Sequence, residues 1–224
     1  MPLRQDVLIN GEIYHVYNRG SAGGDIFREG DDYQRFLETV SFYRFKQLPF
    51  RLSKMLILSE KKRKKAGDAL VLKDDCLIEI YCFCLMPNHF HILLKQRTEN
   101  GISKFVAQLQ NSYTRFFNTK RHRMGYLFQG SFKAKRIVSE EQLIHLSRYV
   151  HLNPYSAFLV KSVDGLRKYN YSSFSDYMNK KRFDFVNKKY IIDIFGNIEA
   201  YKKFVFDQAD YQRRLAVIKS LLVD

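Results

Sequence analysis

A chain of 224 residues is long enough for one ordinary domain with an extension, or for two small ones. At 46% hydrophobic and 27% charged residues with only 4 Pro, it is globular rather than disordered or fibrous. Thirty-eight Lys and Arg against 23 Asp and Glu give a net charge of +15 and a pI near 9.7. That excess points to a polyanionic partner, because phosphate contacts and counterion release supply most non-specific nucleic-acid affinity. No apolar run approaches membrane-spanning length, no basic amphipathic helix with a clean apolar face stands out, and the first residues lack a signal peptide's apolar region. A cytoplasmic nucleic-acid-binding protein, with no membrane partner, is expected.

The first element, EIYHVYNRG (12–20), alternates and is rich in β-formers, predicting a strand; SAGGDIF after it offers loop residues. From Asp31 the period becomes helical, with Phe36, Leu37, Val40 and Tyr43 on one face and LPF (48–50) ending the run. Residues 46–75 read as a highly charged insertion. Its KKRKK run (61–65) is expected as a solvated loop or turn that adds to the positive field. Two strand-like runs follow, CLIEIYCFCLM (76–86) and HFHILLK (89–95), joined at Pro87-Asn88 in what reads as a tight hairpin turn. Cys76, Cys82 and Cys84 match no zinc spacing, and those on the strand are expected as small core residues.

A second amphipathic helix carries Ile102, Phe105, Val106, Leu109, Tyr113 and Phe116, and GYLFQGSFKAKRIV (125–138) reads as a strand with a glycine break. The order β-α-β-β-α-β predicts an α+β fold of the ferredoxin-like split β-α-β type, an antiparallel sheet with helices on one face. Ser139 with Gln142 three residues later is a capping-box pattern for a further helix, expected to stop at Asn153 before Pro154. A main domain over 1–160 and a C-terminal extension over 161–224 with one or two helical stretches complete the expectation.

On a strand, side chains two apart share a face, so His89 and His91 project together while Phe90 points away. Two neutral imidazoles side by side suit a divalent metal; two histidines merely lining an exposed sheet face is the alternative, and spacing alone leaves the two level. Tyr149 and Asn153, four apart, lie together on the flank of the helix stripe Leu143, Leu146 and Val150. A tyrosine hydroxyl is a possible nucleophile and an Asn carbonyl a hard oxygen ligand, but a boundary tyrosine and a capping asparagine account for them equally. His145 reads as a surface or boundary residue, and His15, His122 and His151 carry no spacing argument. Arg115, Lys120, Arg121, Arg123, Lys133, Lys135, Arg136 and Arg148 cluster toward this helix with Tyr126, Phe128 and Phe132 interleaved. Cations for phosphates and rings for stacking are how single strands are held; core rings on one strand face and solvated lysines on the other are the bland counterpart.

YHVYNRG (14–20), YCFCLMPNHFHILLK (81–95), GYLFQGSFKAKRI (125–137) and YVHLNPYSAFLV (149–160), with YNYSSF (169–174) as a weaker tail, together resemble the REP-associated tyrosine transposases. These are single-tyrosine transposases of the HUH endonuclease superfamily. The resemblance spans roughly residues 10–175, and MPNHFH together with RYVHLNP carries its specificity. It implies that His89 and His91 are the HUH pair, Asn153 completes the metal site, and Tyr149 is the nucleophile. It further implies Mg²⁺ or Mn²⁺ as cofactor and single-stranded or hairpin DNA as partner, with Arg19, Lys133, Lys135, Arg136 and Arg148 as DNA contacts. The expected activity is cleavage and rejoining of single-stranded DNA through a 5′-phosphotyrosine. Relatives differ on whether the tyrosine serves its own subunit or a partner's, so monomer and homodimer both stay open. The alternative is a domesticated hairpin-DNA-binding protein that does not cut. A tyrosine recombinase is set aside because HLSRY lacks that class's spacing, and a cupin because HILLKQ lacks its glutamate.

Overall fold

The β-rich runs become strands at the expected places, except that the last, expected over 125–138, is a strand only over Lys133–Ile137. In the computed structural model, which describes residues 7–73, 75–179 and 182–221, they are β1 (Ile13–Arg19), β2 (Ile78–Met86), β3 (His89–Gln96) and β4 (Lys133–Ile137). Among the described residues they form one sheet in the order β2-β3-β1-β4, every neighbouring pair antiparallel. This is the ferredoxin-like order, and the fold is α+β as expected.

The strand period of two divides the apolar residues between two faces. Tyr14, Val16, Phe83, Leu85, Phe90, Ile92 and Leu94 point toward α1 (Gly30–Tyr43) and α4 (Gly101–Lys120), which cover the first face with Phe36, Val40, Phe105, Leu109 and Tyr113. A register shift in β2 between Ile80 and Cys82 inserts one extra residue, so that Ile80 and Phe83 both reach this core although they are three positions apart. In α4 it is Phe117, 1% exposed, that completes the buried stripe; Phe116 is half-buried beneath the Arg35 guanidinium. The C-terminal end of α4 meets the N-terminus of α1, where Arg121 reaches the fully buried Asp32 at 2.6 Å and Lys120 reaches Glu29 at 3.0 Å. Carboxylates near a helix start and cations near a helix end both suit the helix dipole.

The second sheet face is not open to solvent. It is covered by α5 (Glu140–Ser156) and by α6 (Phe174–Tyr177), α7 (Lys189–Phe195) and α8 (Ile198–Phe206), whose Tyr177, Ile191, Tyr201 and Val205 form a second core with Tyr81, Cys82, Cys84, Leu93, Leu143 and Val150. The extension after residue 160 thus shares a core with the sheet, and a last helix, α9 (Ala209–Leu221), lies against α5. The free cysteines are buried, as their apolar setting predicts.

Two local expectations are corrected. KKRKK is not a loop: after the short α2 (Leu52–Leu56) it lies in α3 (Glu60–Lys73), with residues 61–65 exposed. Lys, Arg and Glu are good helix formers, so a charged run without Gly or Pro need not be a loop. Pro154 does not stop α5, which continues to Ser156. In the last turn a proline withholds only the one bond due to the carbonyl four residues earlier, and buried Pro154 and Tyr155 hold the turn by packing.

Candidate active site

The hairpin turn between β2 and β3 is fixed from both sides. Ile26 and Phe27 donate their N–H groups to the Pro87 carbonyl at 2.8 and 2.9 Å, and Gly20 donates to the Asn88 carbonyl at 2.8 Å. A β-carbon at Gly20 would lie 1.9 Å from the Gly24 carbonyl oxygen, so this close approach requires glycine. Asn88 then aims its side chain at His89: Asn88 Oδ1 lies 2.6 Å from His89 Nδ1, while Asn88 Nδ2 donates to the Gly23 carbonyl. An amide oxygen only accepts, so His89 carries its proton on Nδ1 and leaves Nε2 as a lone pair.

His91 lies on the same face, the two rings edge to face at 4.9 Å. Its Nδ1 is 2.9 Å from Nε2 of His15 on β1. Tyr149, 39% exposed on α5, stands edge-on to His91 at 5.6 Å and to His15 at 6.5 Å. Asn153, one turn on, donates Nδ2 to the Tyr149 carbonyl at 2.8 Å, and its side chain is near enough to those of His89 and Tyr149 to shift the pKa of each. The structure therefore brings His89, His91, Tyr149 and Asn153 together, all from one chain.

Burial sets the protonation states. It lowers His89 to about 4, helped by the Arg19 charge and opposed by the Asn153 hydrogen bond. It holds His91 well below the ordinary histidine value, with His15 and His89 adding to the effect, and lowers His15 to about 4 with help from Lys135. All three imidazoles are neutral at pH 7, the state in which a ring nitrogen can ligate a metal. Burial raises Tyr149 above the usual phenol value, Asn153 pulling the other way. The donor set fits a small divalent cation: neutral imidazole nitrogens and an amide oxygen. Among the described residues no group of three or more His, Cys, Asp and Glu converges as a metal site.

Arg19 is exposed at the end of β1, directly across from His89, and hydrogen-bonds Gln129. Lys133 and Lys135 are exposed on β4, across from Tyr17 and His15 respectively, on the face that carries the histidines. Arg136 points to the other face and pairs with Glu12 at 2.9 Å. Arg148 stacks over the Phe204 ring at 4.2 Å and meets His145 Nδ1 at 2.7 Å, which also places His145 at the surface rather than in the site. Of the interleaved rings, Tyr126 is exposed at 88%, whereas Phe128 and Phe132 belong to the first core.

Two histidines that carried no spacing argument have defined places. His15 is in the site; the signal for it was the antiparallel pairing of β1 with β3, which sets YHVYN beside HFH. His151 is fully buried, its ring nitrogens 2.7 Å from the Tyr201 hydroxyl and 2.9 Å from Ser173 Oγ. It clamps the tyrosine helix to the C-terminal extension, a partner the sequence gave no means to pick out.

The family described as "Transposase IS200 like" matches residues 57–153, a segment that runs from the end of α2 to Asn153. No curated protein matches the chain. Among solved structures, a REP-associated tyrosine transposase bound to a REP hairpin is 14% identical with a TM-score of 0.53, covering 84% of this chain and 92% of its own. That likeness establishes the fold. A protein from Deinococcus radiodurans R1 is 16% identical over 67% of this chain and 95% of its own, with a TM-score of 0.35.

Proposed function

Residues 57–153 match the family described as "Transposase IS200 like", and from that likeness we propose that the chain cleaves and rejoins single-stranded DNA at hairpin-forming sequences through a 5′-phosphotyrosine. The observation that carries this reading is Tyr149 standing edge-on at 5.6 Å from His91, with Asn153 bonded to the Tyr149 carbonyl and its side chain beside His89. A nucleophile and a metal-ligand set meet in one cleft. The hairpin in the similar solved structure and the positive charge of this chain support the choice of DNA.

Each residue then has a task. Arg19, Lys133 and Lys135 lie around the histidines and receive the phosphate backbone, while Arg136 and Arg148 contribute at longer range from their Glu12 and Phe204 anchors. Mg²⁺ or Mn²⁺ held by His89, His91 and Asn153 would polarise the scissile phosphate and neutralise charge on its oxygens. The Tyr149 hydroxyl oxygen attacks phosphorus, the bond from phosphorus to the 3′-oxygen breaks, and the proton lost by the tyrosine reappears on the 3′-hydroxyl. A phenol is protonated at neutral pH and burial raises Tyr149 further, so its proton leaves in the course of the attack. The ester is conserved on the protein, so a 3′-hydroxyl can later attack the phosphotyrosine and rejoin strands without a nucleotide cofactor. Tyr149 stands beside the histidines of its own chain at 5.6 Å from His91, an arrangement that supports reaction in cis.

The test is adduct formation with Mn²⁺ and 3′-end-labelled single-stranded DNA from the palindromic flanks of the protein's own gene. A labelled protein band that disappears in Tyr149→Phe, with hairpin affinity within about threefold because only one hydroxyl is lost, is the expected result. Adduct persisting in Tyr149→Phe would remove the nucleophile assignment; tight hairpin binding with no wild-type adduct would favour the domesticated binder.

A further inference from the structure

His15 has no task in the chemistry above, yet it is one of the most constrained side chains near it. It is 8% exposed in the middle of β1, stacked on Tyr17 at 4.9 Å and on His91 at 5.0 Å with ring planes 28° apart. Its Nε2 faces His91 Nδ1 at 2.9 Å, on the side of the His91 ring away from Nε2. His15 therefore does not complete the ligand set; it approaches a ligand from behind.

A hydrogen bond between two neutral imidazoles contains one proton, and that proton has two possible owners. If His15 donates from Nε2, His91 accepts at Nδ1 and must carry its own proton on Nε2, which closes that nitrogen to a metal. If His91 donates from Nδ1, its Nε2 is a lone pair, as His89 Nε2 already is through Asn88. The nitrogen that a ligating histidine turns away from its metal is ordinarily held by an acceptor that fixes tautomer and ring orientation. Asn88 fills that place for His89; among the described residues, the group at that place for His91 is His15.

We propose that His15 is the positioning residue of the metal site, accepting the His91 Nδ1 proton at its own Nε2 and so holding His91 Nε2 open for a divalent cation. The inference rests on the metal-site reading of His89, His91 and Asn153. It explains why an imidazole is wanted on the strand: one ring supplies the acceptor and fills the space between the stacked Tyr17 and the edge-on Tyr149.

The experiment measures Mn²⁺ affinity directly, without DNA, from the loss of the free-ion electron-spin-resonance signal, in wild type, His15→Phe and His15→Gln. Phenylalanine keeps the stacked ring and removes the acceptor; glutamine can bring an amide oxygen to the place of Nε2. Expected are a loss of at least about tenfold in His15→Phe and retention within about threefold in His15→Gln. Wild-type binding with equal affinity in His15→Phe overturns the proposal while leaving the metal site standing. No Mn²⁺ binding by wild type overturns the metal-site reading and this inference with it. Long-range ¹H–¹⁵N spectra of the histidine rings in wild type provide a second readout that needs no variant to fold. His91 protonated on Nδ1 with Nε2 bare is expected, and a proton on His91 Nε2 refutes the assignment.

Discussion

At the scale of single residues, two kinds of cation separate. Lys120 and Arg121 were grouped with the DNA-facing charges by proximity in sequence, but they bind Glu29 and Asp32 at the start of α1, in the helical layer. Lys133 and Lys135 have strand positions that set them on the histidine face beside β1. An exposed lysine contributes to binding single strands through counterion release, about 0.7 of a unit in the salt slope for each phosphate neutralised. Lys133→Ala should therefore lower the slope of log K against log salt for a single-stranded oligonucleotide by about that amount. A Lys120→Ala slope unchanged from wild type would complete the contrast, and equal slopes in all three proteins would disprove the division.

At the scale of elements, α5 does the assembling. Its start is fixed by Ser139 Oγ, which accepts from Gln142 N at 3.1 Å, while Gln142 Oε1 reaches back to Val138 N at 2.9 Å. Its middle is fixed by His151, Tyr201 and Ser147, whose hydroxyls and ring nitrogens bond one another at 2.7 to 3.1 Å inside the second core. Ser139→Ala should cost about 1 kcal/mol, the usual loss for an N-cap. Tyr201→Phe leaves a buried His151 ring nitrogen without its partner, while Ser147 keeps its bond to the Ile144 carbonyl, and should cost about 2 kcal/mol. Urea denaturation checks both, and a smaller loss for Tyr201→Phe than for Ser139→Ala would show the buried network to be dispensable.

At the scale of the whole molecule, the buried imidazoles make stability depend on pH. His151 is lowered from 6.5 to about 3 by burial, so between those values the unfolded chain binds a proton that the folded chain does not. Its contribution is complete above about pH 6.5 and is lost as pH falls toward 3, amounting to about 2 kcal/mol lost by pH 5. His15 and His89, each lowered to about 4, act in the same direction. Unfolding free energy should thus drop between pH 7.5 and pH 5, and the drop should shrink by about 2 kcal/mol in His151→Gln. A pH dependence identical in the two proteins would contradict the burial of His151 as a neutral ring.

Local patterns were legible because they depend on neighbours in sequence. Alternation placed β1, β2 and β3, the Pro87-Asn88 pair made the hairpin, and Ser139 with Gln142 opened α5; the two-residue spacing alone put His89 and His91 on one face. The pairing of Tyr149 with Asn153 came from helical spacing, but its meeting with the histidines was implied only by resemblance. What spacing could not contain was the pairing of distant segments. His15 joins His91 because β1 lies antiparallel to β3, seventy-six positions away. The second sheet face closes because residues after 160 return to bury Tyr177 and Tyr201 against it. Sequence determined which faces were apolar and which residue types were present. Only the tertiary structure decided which buried polar groups meet, because the cost of burying each one unpaired is relieved by whichever partner the fold brings within 3 Å.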